Sequence, residues 1–409
     1  MRITLLSHYP LSAGLSMQSF TALLQEALEE RGHRVNAATV PVILGGLSAR
    51  PLIRKWLGYI DCFVLFPLLF RWRKIGMSKP DLYVLSDQAL GPWLPLLGCA
   101  PCVIHCHDFL ALQSALESQG RHNQTQLALP SRRGLTLSGQ LYQRLIRWGF
   151  RQGRCFLSVS ECTRGQLESH LLRPPLLSVV LPNPISKRFA PMPLTLGESL
   201  LRPALGEPLP PRFLLHVGTG WYKNRLGVLE IWEQLRRLDQ TQTSLQLVLV
   251  GRLEPDLNAW LTDRPELTPW LQVLEHPTNQ QIVALYSCAV ALLFPSVAEG
   301  FGWPVVEALA CGCAVVTTAV QPMTDVGGPW INAIPPVPVS NASRQAWARA
   351  AAIEVARVLT QDPESREAQR LGGLRWASRF NFSDWARQLE LHYRQAHLLQ
   401  QENFQEARS

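Results

Sequence analysis

The chain is 409 residues long, and 47% of its residues are hydrophobic and 17% charged. This length is too great for one ordinary core and predicts a globular protein with two domains. The net charge of +8 favours anionic partners such as nucleotide phosphates or an acidic membrane face. Nucleic acid is not an expected partner, because no known nucleic-acid motif or long run of Lys and Arg occurs.

The first half of the chain predicts one α/β domain with a mostly parallel sheet. Apolar runs indicate strands at 2–6, 35–42, 81–85, 101–106, 155–159 and 177–181. An amphipathic helix is expected at 17–31, where Gly32 ends it. Strands that alternate with helices imply right-handed crossovers and ligand sites at the carboxyl ends of the strands.

The second half repeats this α/β pattern after a proline-rich stretch. Residues 190–211 hold six prolines and are the best candidate for an interdomain linker. Strands are predicted near 213–217, 245–250, 271–274, 290–294 and 314–317. Two further amphipathic helices are predicted over 343–360 and 383–400, which complete the chain.

The expected location is the cytoplasm, or the inner face of a membrane. No secretion signal and no stretch of 18 apolar residues is seen, and nine cysteines, an odd number, indicate reduced thiols. Cys99 and Cys102, followed by His105, have a spacing that metal sites use. Their alternation with apolar residues favours small buried side chains instead, so no metal site is predicted.

The most informative stretch is Glu299-Gly-Phe-Gly-Trp-Pro-Val-Val-Glu307, which follows a buried strand. Pro304 suits the first turn of a helix and Gly312 suits its end. Glycines before a helix let backbone N–H groups surround an anion. Two carboxylates beside such a site can accept hydrogen bonds from hydroxyl pairs, one on a donor sugar and the other on a ribose. The pattern therefore suits a sugar nucleotide.

This stretch resembles the hallmark of the retaining glycosyltransferases of family 4, also called glycosyl transferases group 1. The resemblance implies the GT-B fold, an α/β fold in which two Rossmann-like domains present parallel sheets to a central cleft. It implies an acceptor-side domain over 1–195, a linker at 196–211 and a nucleotide-sugar-binding domain over 212–375. The segment 376–409 is then expected to be a helix that crosses back to the first domain. Cys313-Ala314 stands where the family often has a small residue and Pro.

Further candidate residues follow the first strand of the second domain. Gly218 lets the loop approach a ligand, and Lys223 can reach phosphate as a point charge. Many family members have an Arg just after this strand, where Thr219 stands here, so Arg225 is the candidate replacement. With Gly300, Phe301, Gly302 and Glu307, these residues form the predicted donor site.

The resemblance also points to the first domain. His107 ends a strand there, and the family often has a His at that place facing the donor sugar. Gly14 lies in the turn after the first strand, where it either lines the site or only serves the turn. The residues expected to be catalytic are thus His107, Lys223 and Glu299.

The expected function is retaining transfer of a sugar from a nucleotide-diphosphate sugar to an acceptor hydroxyl, on a glycan or a lipid-linked molecule. Such hexosyltransferases of polysaccharide or glycoconjugate synthesis need no metal ion and no cofactor, because the nucleotide sugar is a co-substrate. An epimerase or a phosphorylase of the same fold would lack the double-Glu stretch. The alternative outside catalysis is a transferase-like subunit that binds the sugar nucleotide but is catalytically weak.

Residues 51–74 raise the question of a membrane. An apolar run at 63–70 is flanked by Arg54, Lys55 and Trp56 on one side and by Arg71 to Lys74 on the other. Eight residues are too few to span a bilayer, and basic residues with tryptophans are typical of a segment that lies in its interface. The alternative is that the run packs in the core and its cations are solvated. The sequence leaves both interpretations open.

Overall fold

The computed structural model describes residues 1–11, 15–73, 79–117, 136–207, 209–238 and 245–406. Within these ranges the chain divides into two compact units. The first unit holds the described residues of 1–117 with 136–183 and 382–406, and the second holds the described residues of 184–381. The chain thus leaves the first unit after Asn183 and returns to it at Phe382.

The first unit is built on a parallel sheet that contains six strands in the described residues. They are β1 Arg2–Ser7, β2 Arg34–Thr39, β3 Leu82–Leu85, β4 Cys102–Cys106, β5 Cys155–Ser158 and β6 Leu177–Val180. Their order is β2-β1-β3-β4-β5-β6. β3, β4 and β5 are buried along their whole length, because helices cover both faces of such a sheet. The six predicted strands are confirmed.

The helices of this unit connect successive strands. They are α1 Leu15–Glu30, α2 Pro51–Ile60, α3 Phe66–Arg73, α4 Leu94–Leu97, α5 Leu110–Glu117, α6 Leu137–Phe150 and α7 Glu161–His170. A π-helical turn, Asp61–Leu65, joins α2 to α3, so 51–73 is one continuous helical stretch. The apolar run at 63–70 is divided within this stretch, since Phe66 is buried while Val64 and Leu68 are exposed.

The second unit has the same architecture. Its described strands are β7 Arg212–Val217, β8 Leu245–Val250, β9 Leu271–Leu274, β10 Ala291–Phe294, β11 Val315–Thr318 and β12 Ile331–Ile334. They pair in the order β12-β11-β10-β7-β8-β9, all in parallel. Edge strand β12 was not predicted, because Asn332 interrupts its apolar pattern. The Asn332 side chain donates a hydrogen bond to the carbonyl of Val315.

Eight helices are described in the second unit. They are α8 Leu194–Leu205, α9 Arg225–Leu238, α10 Pro255–Thr262, α11 Asn279–Cys288, α12 Trp303–Ala310, α13 Met323–Gly327, α14 Arg344–Leu359 and α15 Pro363–Ala377. Residues 196–211, expected to be a linker, thus contain most of α8. This helix buries Leu201 and Leu205, and its Gly197 lies against Cys288 of α11. The helical spacing of the apolar residues outweighs the helix-breaking tendency of Pro203. The segment therefore forms a helix that packs against α11 and is not an extended linker.

The last helix, α16 Phe382–Glu406, belongs to the first unit. It buries Leu389, Ala396 and the ring of Tyr393. The Tyr393 hydroxyl lies 2.7 Å from Nε2 of the buried His105 on β4. Glu390 of the same helix accepts a hydrogen bond from Nε of Arg31, the residue that follows α1. Apolar packing and these polar contacts join the end of the chain to its beginning.

Candidate functional site

The double-Glu stretch and the Lys223 loop lie at the same edge of the second sheet. β7 and β10 are neighbours and run parallel, so the loops that follow them leave the sheet side by side. Residues 218–224 follow β7, and residues 295–302 follow β10. The backbone joins the two loops directly, since the N–H of Val297 donates to the carbonyl of Tyr222 over 2.8 Å. Strand order therefore brings together two motifs about 75 residues apart in the chain.

The absence of a side chain at Gly218 leaves space for the side chain of Lys223. Gly218 has φ +104°, a conformation that side chains rarely adopt. A Cβ atom at this position would lie 3.2 Å from Cε of Lys223, so the lysine side chain runs directly over the glycine. The ammonium then lies 4.7 Å from the ring centroid of Phe294, within the range of a cation–π contact. The side chain of Lys223 is consequently buried except for about a tenth of its surface.

Lys223 and Glu299, which the sequence assigned separately to phosphate and sugar, form an ion pair. Nζ of Lys223 lies 2.7 Å from Oε1 of Glu299, and the hydroxyl of Ser296 lies 2.7 Å from the same oxygen. The two charged side chains are only 10% and 8% exposed. In this low-dielectric setting each charge holds the other in place. A phosphate that approaches Lys223 would therefore share it with Glu299.

Helix α12 begins at the glycines between the two glutamates. Gly302 precedes the helix with φ +97° and a left-handed conformation, which a residue with a side chain would adopt only under strain. Gly300 precedes it, and Phe301 is buried with its ring 5.8 Å from that of Phe380. This turn presents the N-terminus of α12, whose backbone N–H groups favour negative charge.

Glu307 lies in the second turn of α12 and has an unusual protonation equilibrium. Burial raises the pKa of its carboxyl from 4.5 to about 7. Three groups oppose this effect: the Tyr286 hydroxyl donates to Oε2 over 2.9 Å, and Arg188 and Lys223 act through their charges. Near neutral pH the side chain therefore divides between the acid, which can donate a hydrogen bond, and the carboxylate, which accepts two or more.

Arg225 has other partners than the expected diphosphate. Its side chain is 3% exposed, and Nη1 donates both to the carboxylate of Glu254 and to the carbonyl of Arg252. Nη2 donates to the carbonyl of Gly251 over 3.0 Å. The guanidinium thus holds the loop that follows β8, and its contact with a diphosphate stays a prediction.

The first unit holds the remaining predicted residues. His107 follows β4 and is buried; its Nε2 lies 2.9 Å from the carbonyl of Ser86, so this nitrogen carries the proton and donates. Burial lowers the pKa of His107, which keeps the ring neutral, while Asp87 acts in the opposite direction. Gly14 lies outside the described residues.

Three residues that the sequence did not single out belong to the second unit's site. Ser296 supports Glu299, while Tyr286 and Arg188 influence Glu307. Only Ser296 carried a signal in the sequence, because a polar residue two positions after a buried strand is placed at the ligand edge of the sheet. Tyr286 and Arg188 reach the site from elements whose position depends on the tertiary fold.

The Cys99 and Cys102 segment does not form a metal cluster in the described part of the chain. Cys102 and Cys106 are buried on β4, and burial raises the pKa of Cys102 to about 12. Within the described ranges, no three His, Cys, Asp or Glu side chains come together as metal ligands would.

Comparison with known proteins finds similarity in sequence to the second unit. Residues 211–353, which include Lys223 and both glutamates, match the family model described as glycosyl transferases group 1. The O-antigen chain mannosyltransferase B of Escherichia coli is 31% identical over 119 residues. That match spans 28% of this chain and only 31% of the mannosyltransferase.

Solved structures resemble nearly the whole chain. Sucrose-phosphate synthase from Thermosynechococcus elongatus superposes with a TM-score of 0.71 at 18% identity, covering 97% of this chain and 98% of that one. HepE from Anabaena, solved in complex with UDP and glucose, gives 0.64 at 14% identity, covering 95% and 98%. At these identities the likeness concerns the fold alone. Together with the two parallel sheets, it confirms the expected α/β GT-B fold.

Proposed function

We propose that this chain moves a sugar from a nucleotide-diphosphate sugar to an acceptor hydroxyl and retains the anomeric configuration; the match of residues 211–353 to the group 1 glycosyltransferase model supports the proposal. The observation that carries the proposal is the assembly, on two adjacent strand ends, of Lys223, Glu299 and the glycine turn before α12. A cation, an anion-binding helix start and a hydroxyl-binding carboxylate are what a nucleotide sugar requires.

In this proposal, departure of the nucleotide diphosphate is assisted by fixed charges. Lys223 and the N–H groups around Gly300 and Gly302 stabilise the negative charge that develops on the leaving group. Glu299 orients the sugar hydroxyls, and Glu307 accepts hydrogen bonds from the ribose. His107 of the first unit is proposed to contact the donor sugar. No bound metal ion or other cofactor is needed for this step, and we propose that the enzyme is metal-independent.

The proposed route to retention is a front-face attack. The acceptor hydroxyl attacks the anomeric carbon from the side of the leaving group, and a diphosphate oxygen takes its proton. A double displacement would instead need a second carboxylate about 5 Å from the first, across the sugar. The resemblance to family 4 favours the front-face route.

We further propose that the acceptor belongs to glycan or glycoconjugate synthesis, and that the protein contacts an anionic membrane peripherally from the cytoplasmic side. The O-antigen relative supports the first statement. The second rests on the outward side chains of 51–73, where Leu52, Leu68 and Trp72 are 75%, 63% and 71% exposed. Exposed apolar side chains among cations suit an interface. No helix in the described residues has the length and apolarity to cross a bilayer.

A sugar-nucleotide-binding subunit with weak catalysis is the second candidate. The engagement of Arg225 by Glu254 favours it, because Lys223 then faces the diphosphate without the usual arginine. The two candidates make the same prediction for donor binding and opposite predictions for transfer.

The test uses GDP-, UDP-, ADP- and dTDP-sugars in a thermal-shift panel, followed by separate assays of donor hydrolysis and sugar transfer in excess chelator. Glu307→Ala should weaken nucleotide binding, and Glu299→Ala should slow transfer, each by about 10- to 100-fold for one charged hydrogen bond. Glu275→Ala, at the end of edge strand β9, is the matched control and should change neither. Near-normal transfer in both site variants, or activity that requires added magnesium or manganese, would contradict the proposal. Binding without transfer would favour the second candidate.

A further inference from the structure

A cavity of about 400 Å³ lies within the first unit, and part of its lining comes from the helical stretch at 51–73. It opens at the carboxyl edge of the sheet, between the loops that follow β1 and β3 and the inner face of α2. Ligands of parallel α/β sheets bind at this edge. Its volume suits a small ligand or the head of a larger one.

The walls of the cavity are aromatic. Five Phe, Tyr and Trp side chains line it, together with the imidazole of His8: Tyr9, Tyr59, Phe63, Trp93 and Tyr142. The rings support one another, since the centroid of Tyr142 lies 5.6 Å from that of Tyr59 and 6.0 Å from that of Phe63. Mutual packing of this kind holds the cavity open and gives it a largely apolar surface.

The cavity floor is rigid. The Tyr9 hydroxyl donates to Oδ2 of the fully buried Asp61 over 2.8 Å. Asp61 also accepts hydrogen bonds from the N–H groups of Ile43, Leu44 and Gly45. Gly45 and Gly58 fit closely against Tyr9: a Cβ at position 45 would lie 2.0 Å from the hydroxyl oxygen of Tyr9, and a Cβ at position 58 would lie 3.0 Å from its ring. The hydrogen bonds that the carboxylate of Asp61 accepts therefore hold Tyr9 and the 43–45 loop in place.

The mouth of the cavity is cationic. Arg54 and Lys55, both exposed side chains of α2, are among the lining residues. Nζ of Lys55 lies 5.9 Å from the ring centroid of Tyr59, one turn further along the same helix. No carboxylate occurs among the described residues that line the cavity. An apolar chamber with two cations at its entrance complements a ligand that joins an anion to an apolar or ring-shaped body.

The outer face of α2 indicates that such a ligand would lie at a membrane surface. Leu52 and Trp56 are 75% and 57% exposed, and Ile53 and Ile60 are exposed beside them. A surface helix normally turns polar side chains outward. Here one helix lines the cavity with its inner side and presents apolar side chains to the outside. An amphipathic molecule anchored in a bilayer could therefore reach the mouth without leaving the membrane.

Resting on the transferase function proposed above, we infer that this cavity binds the phosphate-bearing head of an amphipathic, lipid-linked acceptor, with its hydrocarbon chain in the membrane beside α2. Arg54 and Lys55 bind the phosphate. The aromatic walls of the cavity contact the apolar or ring-shaped group that is attached to this phosphate. The site thereby determines the class of acceptor, whereas Lys223 and the glutamates of the second unit serve the donor.

The test measures binding of farnesyl phosphate, below its micelle concentration, by titration calorimetry. Inorganic phosphate, glucose 1-phosphate and farnesol are the comparison probes, and each should bind at least about tenfold more weakly than farnesyl phosphate. The first two lack the hydrocarbon chain, and farnesol lacks the phosphate. Equal binding of glucose 1-phosphate, or no binding of farnesyl phosphate, would overturn the inference.

Variants locate the site. The double variant Arg54→Ala/Lys55→Ala should lose about tenfold or more in affinity for farnesyl phosphate. Cys62→Trp, which fills the cavity, should abolish binding. Arg34→Ala/Lys79→Ala removes the same two residue types from exposed positions outside the cavity and should change nothing. Lys223→Ala should also leave the affinity unchanged, because it alters the donor site. An unaltered affinity in the Arg54/Lys55 variant would refute the assignment, whether or not Cys62→Trp folds.

Nucleotide binding, measured on the same proteins, separates the two proposals. Retained nucleotide binding without farnesyl phosphate binding overturns the cavity assignment alone. Farnesyl phosphate binding that depends on Arg54 and Lys55, in a protein that neither binds nor transfers from any nucleotide sugar, overturns the transferase function alone.

Discussion

Replacement of Lys223 by alanine probes the ion pair at the centre of the donor site. The pair has a 2.7 Å contact and side chains only 10% and 8% exposed. Removing one partner of a buried pair costs about 3–5 kcal/mol, because the other charge stays unpaired in a low dielectric. The Ser296 hydroxyl remains on Glu299 and some water reaches it. We therefore expect the lower end of the range, a loss of about 3 kcal/mol in the free energy of unfolding of the second unit.

A double-mutant cycle tests this reasoning. Lys223→Ala/Glu299→Ala removes both charges, and we expect it to be about 2 kcal/mol more stable than Lys223→Ala alone. Urea unfolding followed by tryptophan fluorescence measures the four proteins of the cycle. Strict additivity of the two single changes would refute the coupling.

The control for general destabilisation is Arg264→Ala, which breaks a more exposed pair with Glu233 in the same unit. It should leave nucleotide affinity unchanged. Lys223→Ala, in contrast, should weaken nucleotide-diphosphate binding by about 10- to 100-fold, because a charged hydrogen bond to phosphate is lost. An equal effect of both variants on affinity would show that Lys223 acts through stability alone.

Two further predictions concern Glu307 and Arg225. Because the pKa of Glu307 is raised from 4.5 to about 7, its contribution to stability should be present below pH 4.5 and lost as pH rises to 7, and Glu307→Gln should remove this dependence in unfolding measurements. Nucleotide affinity should instead rise through pH 7, where the ribose gains an ionised acceptor; Tyr286→Phe should move that midpoint to higher pH, and a flat profile would contradict the assignment. Arg225→Ala should lower the unfolding free energy by about 2–3 kcal/mol, because Glu254 and two carbonyls lose their donor. If Arg225→Ala instead kept normal stability and lost much of its nucleotide affinity, the result would show that Arg225 binds the diphosphate.

The sequence by itself determined the fold class and the position of the donor motif. Strand β10 is an unbroken apolar run and β8 is apolar apart from Gln246, and runs of this kind have few alternatives to burial in a parallel sheet. The beginning and end of α12 were equally readable, because Gly302, Pro304 and Gly312 have local conformational roles that do not depend on distant residues.

Only the tertiary structure decided which side chains meet. The pairing of Lys223 with Glu299 follows from β7 and β10 being neighbours, an order that no local pattern encodes. Tyr286 donates a hydrogen bond to Glu307 from another helix, and Glu254, in the loop after β8, accepts a hydrogen bond from Arg225. The helical stretch at 51–73 is a similar case: its apolar residues are compatible with a core, and packing against one side of the sheet leaves the others exposed. Local periodicity defines elements, whereas contacts between distant segments define sites, because they depend on how the elements pack.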